Sequence, residues 1–144
     1  MDTDCENFES VLNTNLIGPF RLTKAVLPSL LLNGSGTVIN ISSDAAINGY
    51  PTWGAYGVSK AALDHLSRIW SAELAEHKVQ FLSIDPGDMN TPMHAAASPN
   101  ANLNALKNPM QAAEELLQFL AHNQLANNQE KPQVSNLSFK RISL

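Results

Sequence analysis

The chain has 144 residues, 44% of them hydrophobic and 15% charged, which fits a single globular domain and not a disordered segment. Its net charge of -4 comes with no Lys/Arg cluster and no basic helix face, so neither nucleic acid nor a membrane is an expected partner. The longest apolar runs fall far short of the roughly 20 residues a membrane span needs. The acidic start Met1-Asp2-Thr3-Asp4 has no apolar h-region. Cys5 is the only cysteine, which rules out an internal disulfide and makes a reducing, cytoplasmic compartment the expectation.

In chain order, Phe8, Val11, Leu12, Leu16, Phe20, Leu27, Leu30 and Leu31 recur at helical spacing and predict a helix from about Glu6 to Leu32. Pro19 interrupts it. Proline has no N–H, so the carbonyl of Asn15, four residues earlier, loses its helical partner, and Gly18 loosens the same turn. A kink is expected there, with the Asn15 carbonyl free to hold a water. The plainer alternative is a kinked helix carrying a surface asparagine. Asn33-Gly34-Ser35-Gly36 stops the helix. Thr37 to Ile41 is β-branched and short, a buried strand. A polar loop, Ser42 to Thr52, leads to a second helix that starts between Trp53 and Tyr56 and runs to about Glu76, with an apolar stripe of Leu63, Leu66, Trp70 and Leu74. Val79 to Ile84 is a second buried strand, broken by Asp85-Pro86-Gly87. Residues 88–108 read as loop. Pro109 opens a third helix to about Asn123. Beyond Asn127 the tail is polar, and Val134, Leu137 and Phe139 suggest a short last strand. The order helix-strand-helix-strand-helix predicts an α/β fold with two parallel strands joined by a crossover helix.

The chemistry sits in the run Tyr56-Gly57-Val58-Ser59-Lys60. A spacing of four puts a phenol and an ammonium on one helix face. The ammonium favours the phenolate, so the phenol can exchange a proton nearer neutral pH than its free pKa of about 10 would allow. This is the equipment needed to reduce a carbonyl or oxidise an alcohol. Taken singly, Tyr56 reads as a half-buried tyrosine, Lys60 as a solvated lysine, Ser43 as a loop serine bonded to local backbone and Pro86-Gly87 as turn chemistry. Together, Asn13-Thr14-Asn15-Leu16, Asn40-Ile41-Ser42-Ser43, Tyr56-x-x-x-Lys60 and Pro86-Gly87 with Thr91 follow one another in a definite order.

From Phe8 to about Leu120 these motifs make the chain resemble the short-chain dehydrogenase/reductase family. The resemblance implies the C-terminal part of a doubly wound Rossmann-like fold, an oxidoreductase activity, NAD or NADP as cofactor and a small alcohol or carbonyl substrate. It implies catalytic roles for Asn15, Ser43, Tyr56 and Lys60. Tyr56 would exchange the proton, and Ser43, thirteen residues earlier, would hold the substrate oxygen. Lys60 would tune Tyr56 and hold the nicotinamide ribose, and Asn15 would carry a relay water. Ser42 and Asn13 are the rival positions: successive residues at a strand end face opposite sides, and Asn13 lies two residues off the motif. Tyr56, Lys60, Pro86, Gly87 and Thr91 would contact the cofactor. Trp53 and Met93 would form an apolar wall or simply pack, and His94 reads as a loop histidine. His65, His77, His94 and His122 show no paired metal-ligand spacing, so no metal is assigned.

The family also opens with a strand and a Gly-rich turn that receives the pyrophosphate. Here Gly34-x-Gly36 follows a helix and precedes a strand, the wrong context for that motif. Residues 1–126 are therefore expected to form a partial domain lacking the dinucleotide-binding half, with 127–144 as a tail. The resemblance further implies a homo-oligomer formed through the helices 6–32 and 56–76. The competing expectation is a catalytically inactive interaction module acting through those helices. A methyltransferase or other nucleotide-binding α/β protein would leave Ser43, Tyr56 and Lys60 without a shared purpose.

Overall fold

The computed structural model describes residues 4–129 and 140–144. These fall into two compact units. One holds the described residues up to Asp85 together with Lys140–Ile142; the other starts at Pro86 and takes in Ser143 and Leu144.

The first unit opens with α1, Cys5–Leu12. The Asp4 side chain caps it by accepting the Asn7 N–H, one of the amides a helix start leaves without an intrahelical partner. The expected kink is present as a π-helical turn, Asn13–Ile17, in which the Gly18 N–H reaches back five residues to the Asn13 carbonyl. Pro19, with no N–H to give to Asn15, then sits in the first turn of α2, Gly18–Leu32, where a proline is tolerated. Gly34, at φ +73°, turns the chain after α2. Strand β1, Gly36–Ile41, follows. A Cβ on Gly36 would lie 2.8 Å from Leu30 Cδ2, so glycine lets the strand start close under α2.

A short 3₁₀ turn, Asp44–Ala46, leads towards α3, Gly54–Glu73. Helix α3 ends three residues before the predicted Glu76, because Leu74 leaves helical geometry at φ -107° and ψ 19° and packs on the core. Strand β2, Val79–Asp85, pairs in parallel with β1, Gly36 opposite Val79 and Ile41 opposite Ile84. Strand β3, Lys140–Ser143, lies on the other side of β2, giving the order β1-β2-β3. The expected α/β architecture with parallel strands is what the chain adopts. The predicted last-strand pattern of Val134, Leu137 and Phe139 lies outside the described residues.

β2 is buried along almost its whole length, as a central strand covered on both faces must be. Trp70, Val79 and Phe81 form the core cluster, with Leu27, Leu30, Leu31, Val38, Leu66 and Leu74 against it. Phe20 stacks on Trp70 with ring centroids 5.6 Å apart. Leu66 and Trp70 thus pack on the sheet of their own chain. Small residues, Ser59, Ser67 and Ser71, occupy buried positions on α3 between the apolar ones. Ser67 turns its hydroxyl to the Leu63 carbonyl and accepts from Asn40, so both buried groups are satisfied.

In the second unit, the span read as loop contains α4, Pro92–Ala97, and a 3₁₀ turn, Leu103–Ala105. Thr91 caps α4 by accepting the His94 N–H, and Pro92 follows at a first-turn position. Met89 and Lys107 form a parallel bridge. The Lys107 ammonium donates to Glu115 at 2.7 Å, and that bond, helped by Gln111, holds the Glu115 carboxyl below its ordinary range. Helix α5 runs Pro109–Gln129, past the predicted Asn123, with Asn108 accepting the Met110 N–H at its start.

Candidate active site

Three elements of the first unit supply the site: the π-helical turn, the end of β1 and the first turns of α3. Beyond Ile41 the ladder makes one more bond, Ser42 N–H to the Ile84 carbonyl. The chain then leaves the sheet at Ser43, which is extended at φ -161° and starts the 3₁₀ turn. The alternation expected at a strand end holds here. Ser42 is buried and accepts from Arg141, whereas Ser43 is half-buried. The Ser43 hydroxyl donates to Asp44 and accepts the Ala45 N–H, each at 3.2 Å. Asp44 also accepts a hydrogen bond from the Tyr50 hydroxyl.

Helix α3 passes close beside this turn. A Cβ on Gly57 would come within 3.0 Å of the Ala45 carbonyl oxygen, so Gly57, next to Tyr56, allows the approach. Tyr56 is half-buried, with Trp53 set edge-on to it at 5.7 Å and Tyr50 against Trp53 at 5.5 Å. One turn on, the Lys60 ammonium lies 5.6 Å from the Tyr56 ring centroid. It donates to the Ile41 carbonyl at 2.8 Å, which ties α3 to the end of β1. Burial lowers the Lys60 pKa below its ordinary value, because taking an ammonium out of water disfavours its charge. The Asp64 carboxylate, one further turn along, works against that shift.

Asn15 is held inward and Asn13 is exposed. The Asn15 side-chain amide donates to Ser59 Oγ at 3.0 Å, and Ser59 donates to the Tyr56 carbonyl at 2.7 Å. The π-helical turn is thereby fastened to the turn of α3 that carries Tyr56. The structure brings Asn15, Tyr56 and Lys60 into one bonded set with the end of β1, beside the Ser43 turn. Pro86, Gly87 and Thr91 lie in the second unit. Gly87 has φ +74° and Thr91 uses its hydroxyl as a helix cap. His94 lies 3.9 Å from Asp88 in the same unit, and Met93 is exposed.

Three residues the sequence did not single out contribute to this set. Ser59 and Asp64 carry a faint signal, as small or acidic residues on the inward side of an amphipathic helix. Arg141 carries none, since its hydrogen-bond partners are 77 to 99 residues away and its second carboxylate, Asp85, is also remote in sequence. Its guanidinium bonds Asp64 at 2.8 Å and the Ser43 carbonyl at 2.8 Å, and stands 3.6 Å from Asp85.

The family model described as short chain dehydrogenase matches residues 1–102. Over 101 residues the chain is 33% identical to the 3-oxoacyl-(acyl-carrier-protein) reductase FabG of Thermotoga maritima, covering 70% of this chain and 41% of that protein. A solved short chain dehydrogenase/reductase family protein superimposes with a TM-score of 0.77 at 29% identity, covering 99% of this chain and 58% of that one. A short chain dehydrogenase from Escherichia coli, solved in complex with NADPH, gives a TM-score of 0.73 at 29% identity over 83% of this chain and 48% of that one. The chain belongs to the short-chain dehydrogenase family. It spans less than half the length of the curated reductase it matches.

Proposed function

We propose that the protein is an NAD(P)-dependent oxidoreductase that moves hydride between a nicotinamide and a small alcohol or carbonyl substrate. The observation that carries this reading is the Tyr56–Lys60 pair, one helical turn apart, with the ammonium anchored on the Ile41 carbonyl beside the Ser43 turn. The residues suit the nicotinamide end of a dinucleotide. Lys60 offers ammonium donors to ribose hydroxyls. Gly87 is in the left-handed region that favours glycine, and the family resemblance implies a backbone approach to the nicotinamide there. Pro86 and Thr91 flank that approach in sequence. When bound, the cofactor supplies or accepts the hydride.

The remaining steps fall to this chain. In the reductive direction the Tyr56 hydroxyl gives its proton to the substrate oxygen, and the Lys60 charge stabilises the phenolate left behind. The Ser43 hydroxyl swings from Asp44 to that oxygen and holds it beside the phenol. Asn15 keeps the π-helical turn against Tyr56, and its main-chain carbonyl, deprived of the proline N–H, holds the water that returns a proton towards Lys60. Tyr50 and Trp53 give the substrate an aromatic boundary. Residues 1–126 serve as the part of the domain that carries the acid/base groups, and the terminal stretch 127–144 adds strand β3 to the sheet. Phe20, Leu22, Val26, Val58 and Ile69 on α2 and α3 are exposed apolar residues, which supports pairing of two copies through these helices. Cys5 is free and exposed, in keeping with a reducing, cytoplasmic setting.

The test is a fluorescence titration of the full chain with NADH and NADPH from micromolar to millimolar concentrations. Saturable binding of at least one nucleotide, weakened by Lys60→Ala, is the expected result. A folded chain that binds neither contradicts the proposal.

A further inference from the structure

Ser43 stands just past the last ladder bond of the sheet, so the sheet does not fix it. Its local bonds, the Ala45 N–H to its hydroxyl and the Ala46 N–H to its carbonyl at 3.0 Å, keep the 3₁₀ turn together but tie it to nothing else. The tie comes from Arg141 on β3. Nη2 donates to the Ser43 carbonyl at 2.8 Å; Nη1 donates to Ser42 Oγ at 3.1 Å and to Asp64 Oδ2 at 2.8 Å. Asp64 lies on α3, two turns beyond Tyr56, and is fixed in turn by the Ser83 hydroxyl at 2.7 Å. Asp85, 3.6 Å from Nη2, completes the charge balance on the side of β2. One planar guanidinium thus joins the end of β1, the end of β2 and the helix that carries Tyr56 and Lys60.

We infer that Arg141 is a positioning residue for Ser43: it sets where the Ser43 hydroxyl stands relative to Tyr56. The inference rests on the oxidoreductase reading for what that placement achieves. The clamp itself does not depend on it. Three features carry it. The Arg141 side chain is only 15% exposed, and the two carboxylates it meets are 6% and 10% exposed, so the group is held in a built site and not at the surface. Its donors are split between a serine carbonyl and a helix carboxylate, a task a rigid fork performs and a lysine ammonium, a single point charge, does not. The Arg141 bonds also skip the Ser43 hydroxyl, whose partners are Asp44 and Ala45 of its own turn, so its proton can turn from Asp44 towards a substrate oxygen while the backbone is held.

The test compares the full chain with Arg141→Lys, which keeps the charge and removes the fork. Two measurements are made: amide hydrogen exchange at Ala45 and Ala46, and steady-state turnover of a carbonyl substrate. Loss of the carbonyl anchor should speed exchange at these two amides by about tenfold, the worth of one such hydrogen bond, while Phe81 and Leu82 on β2 keep their protection. Turnover should fall by roughly 10- to 100-fold in kcat with KM little changed, as expected when a reacting group is misplaced but binding is intact. In Arg141→Ala, millimolar guanidinium ion should restore part of the lost kcat. Unchanged exchange at Ala45 and Ala46, or loss of protection across β2 as well, overturns the positioning role, as does a rise in KM at constant kcat. If the parent chain turns nothing over, the oxidoreductase reading fails by itself, and the exchange measurement still decides the clamp.

Discussion

Tyr56→Phe is expected to lower turnover by about 10²- to 10⁴-fold, the usual worth of a positioned proton donor, while cofactor affinity stays near that of the parent. The substitution removes one oxygen and leaves the ring, so the edge-on contact with Trp53 and the cation over the ring from Lys60 both persist. Two further ties persist as well: Gly57 against Ala45, and Ser59 bridging Asn15 to the Tyr56 carbonyl, which is main chain. Steady-state kinetics with a titration of reduced nicotinamide separates the two effects. Parental kcat in a folded Tyr56→Phe variant removes Tyr56 from the chemistry.

Asp64→Ala is expected to destabilise the fold by about 3–5 kcal/mol, because it leaves a buried cation without its nearest partner. Asp64 is 4% exposed and takes two strong bonds, from the Ser83 hydroxyl at 2.7 Å and from Arg141 at 2.8 Å. Ser83 is fully buried, so its hydroxyl loses a partner in a place water does not reach. Asp85, at 3.6 Å from Arg141, replaces Asp64 only in part. For a chain of this size the loss corresponds to a melting temperature lower by roughly 10–17 °C. A shift of a degree or two would mean that the cluster is solvated and that the Arg141 clamp is weak. The companion Asp64→Asn keeps the shape and removes the charge. Burial lowers the Lys60 pKa and the Asp64 carboxylate counters it. Removing that charge lowers the Lys60 pKa further, so the Lys60 limb of the pH–rate profile should move to lower pH.

The parts of the site that were legible in the sequence are those written locally. A period of 3.6 places Tyr56 and Lys60 on one face of α3, and the structure puts the ammonium 5.6 Å from the phenol ring. The missing N–H of Pro19 announces broken helical bonding at Asn15, and the chain answers with a π-helical turn in place of a simple bend. The alternation of a strand end separates the buried Ser42 from the half-buried Ser43. What was not legible has no local period. Arg141 meets Ser43 across 98 residues, and nothing in the tail marks that one side chain as turning inward. Helix α4 was missed because six residues give little periodicity, although Thr91-Pro92 is a cap followed by a first-turn proline. The end of α3 shifted because packing of Leu74 on Trp70, Val79 and Phe81 outweighed its helical propensity.

The sharpest single measurement follows an isotope. The full chain is incubated with reduced nicotinamide cofactor carrying deuterium at C4, on both faces, and a panel of small ketones and aldehydes; the products are read by mass spectrometry. An alcohol bearing one deuterium on the former carbonyl carbon, formed by the parent and lost in Tyr56→Phe, is the predicted result. A folded chain that yields no deuterated alcohol from any of them, or yields it equally with Tyr56→Phe, contradicts the account.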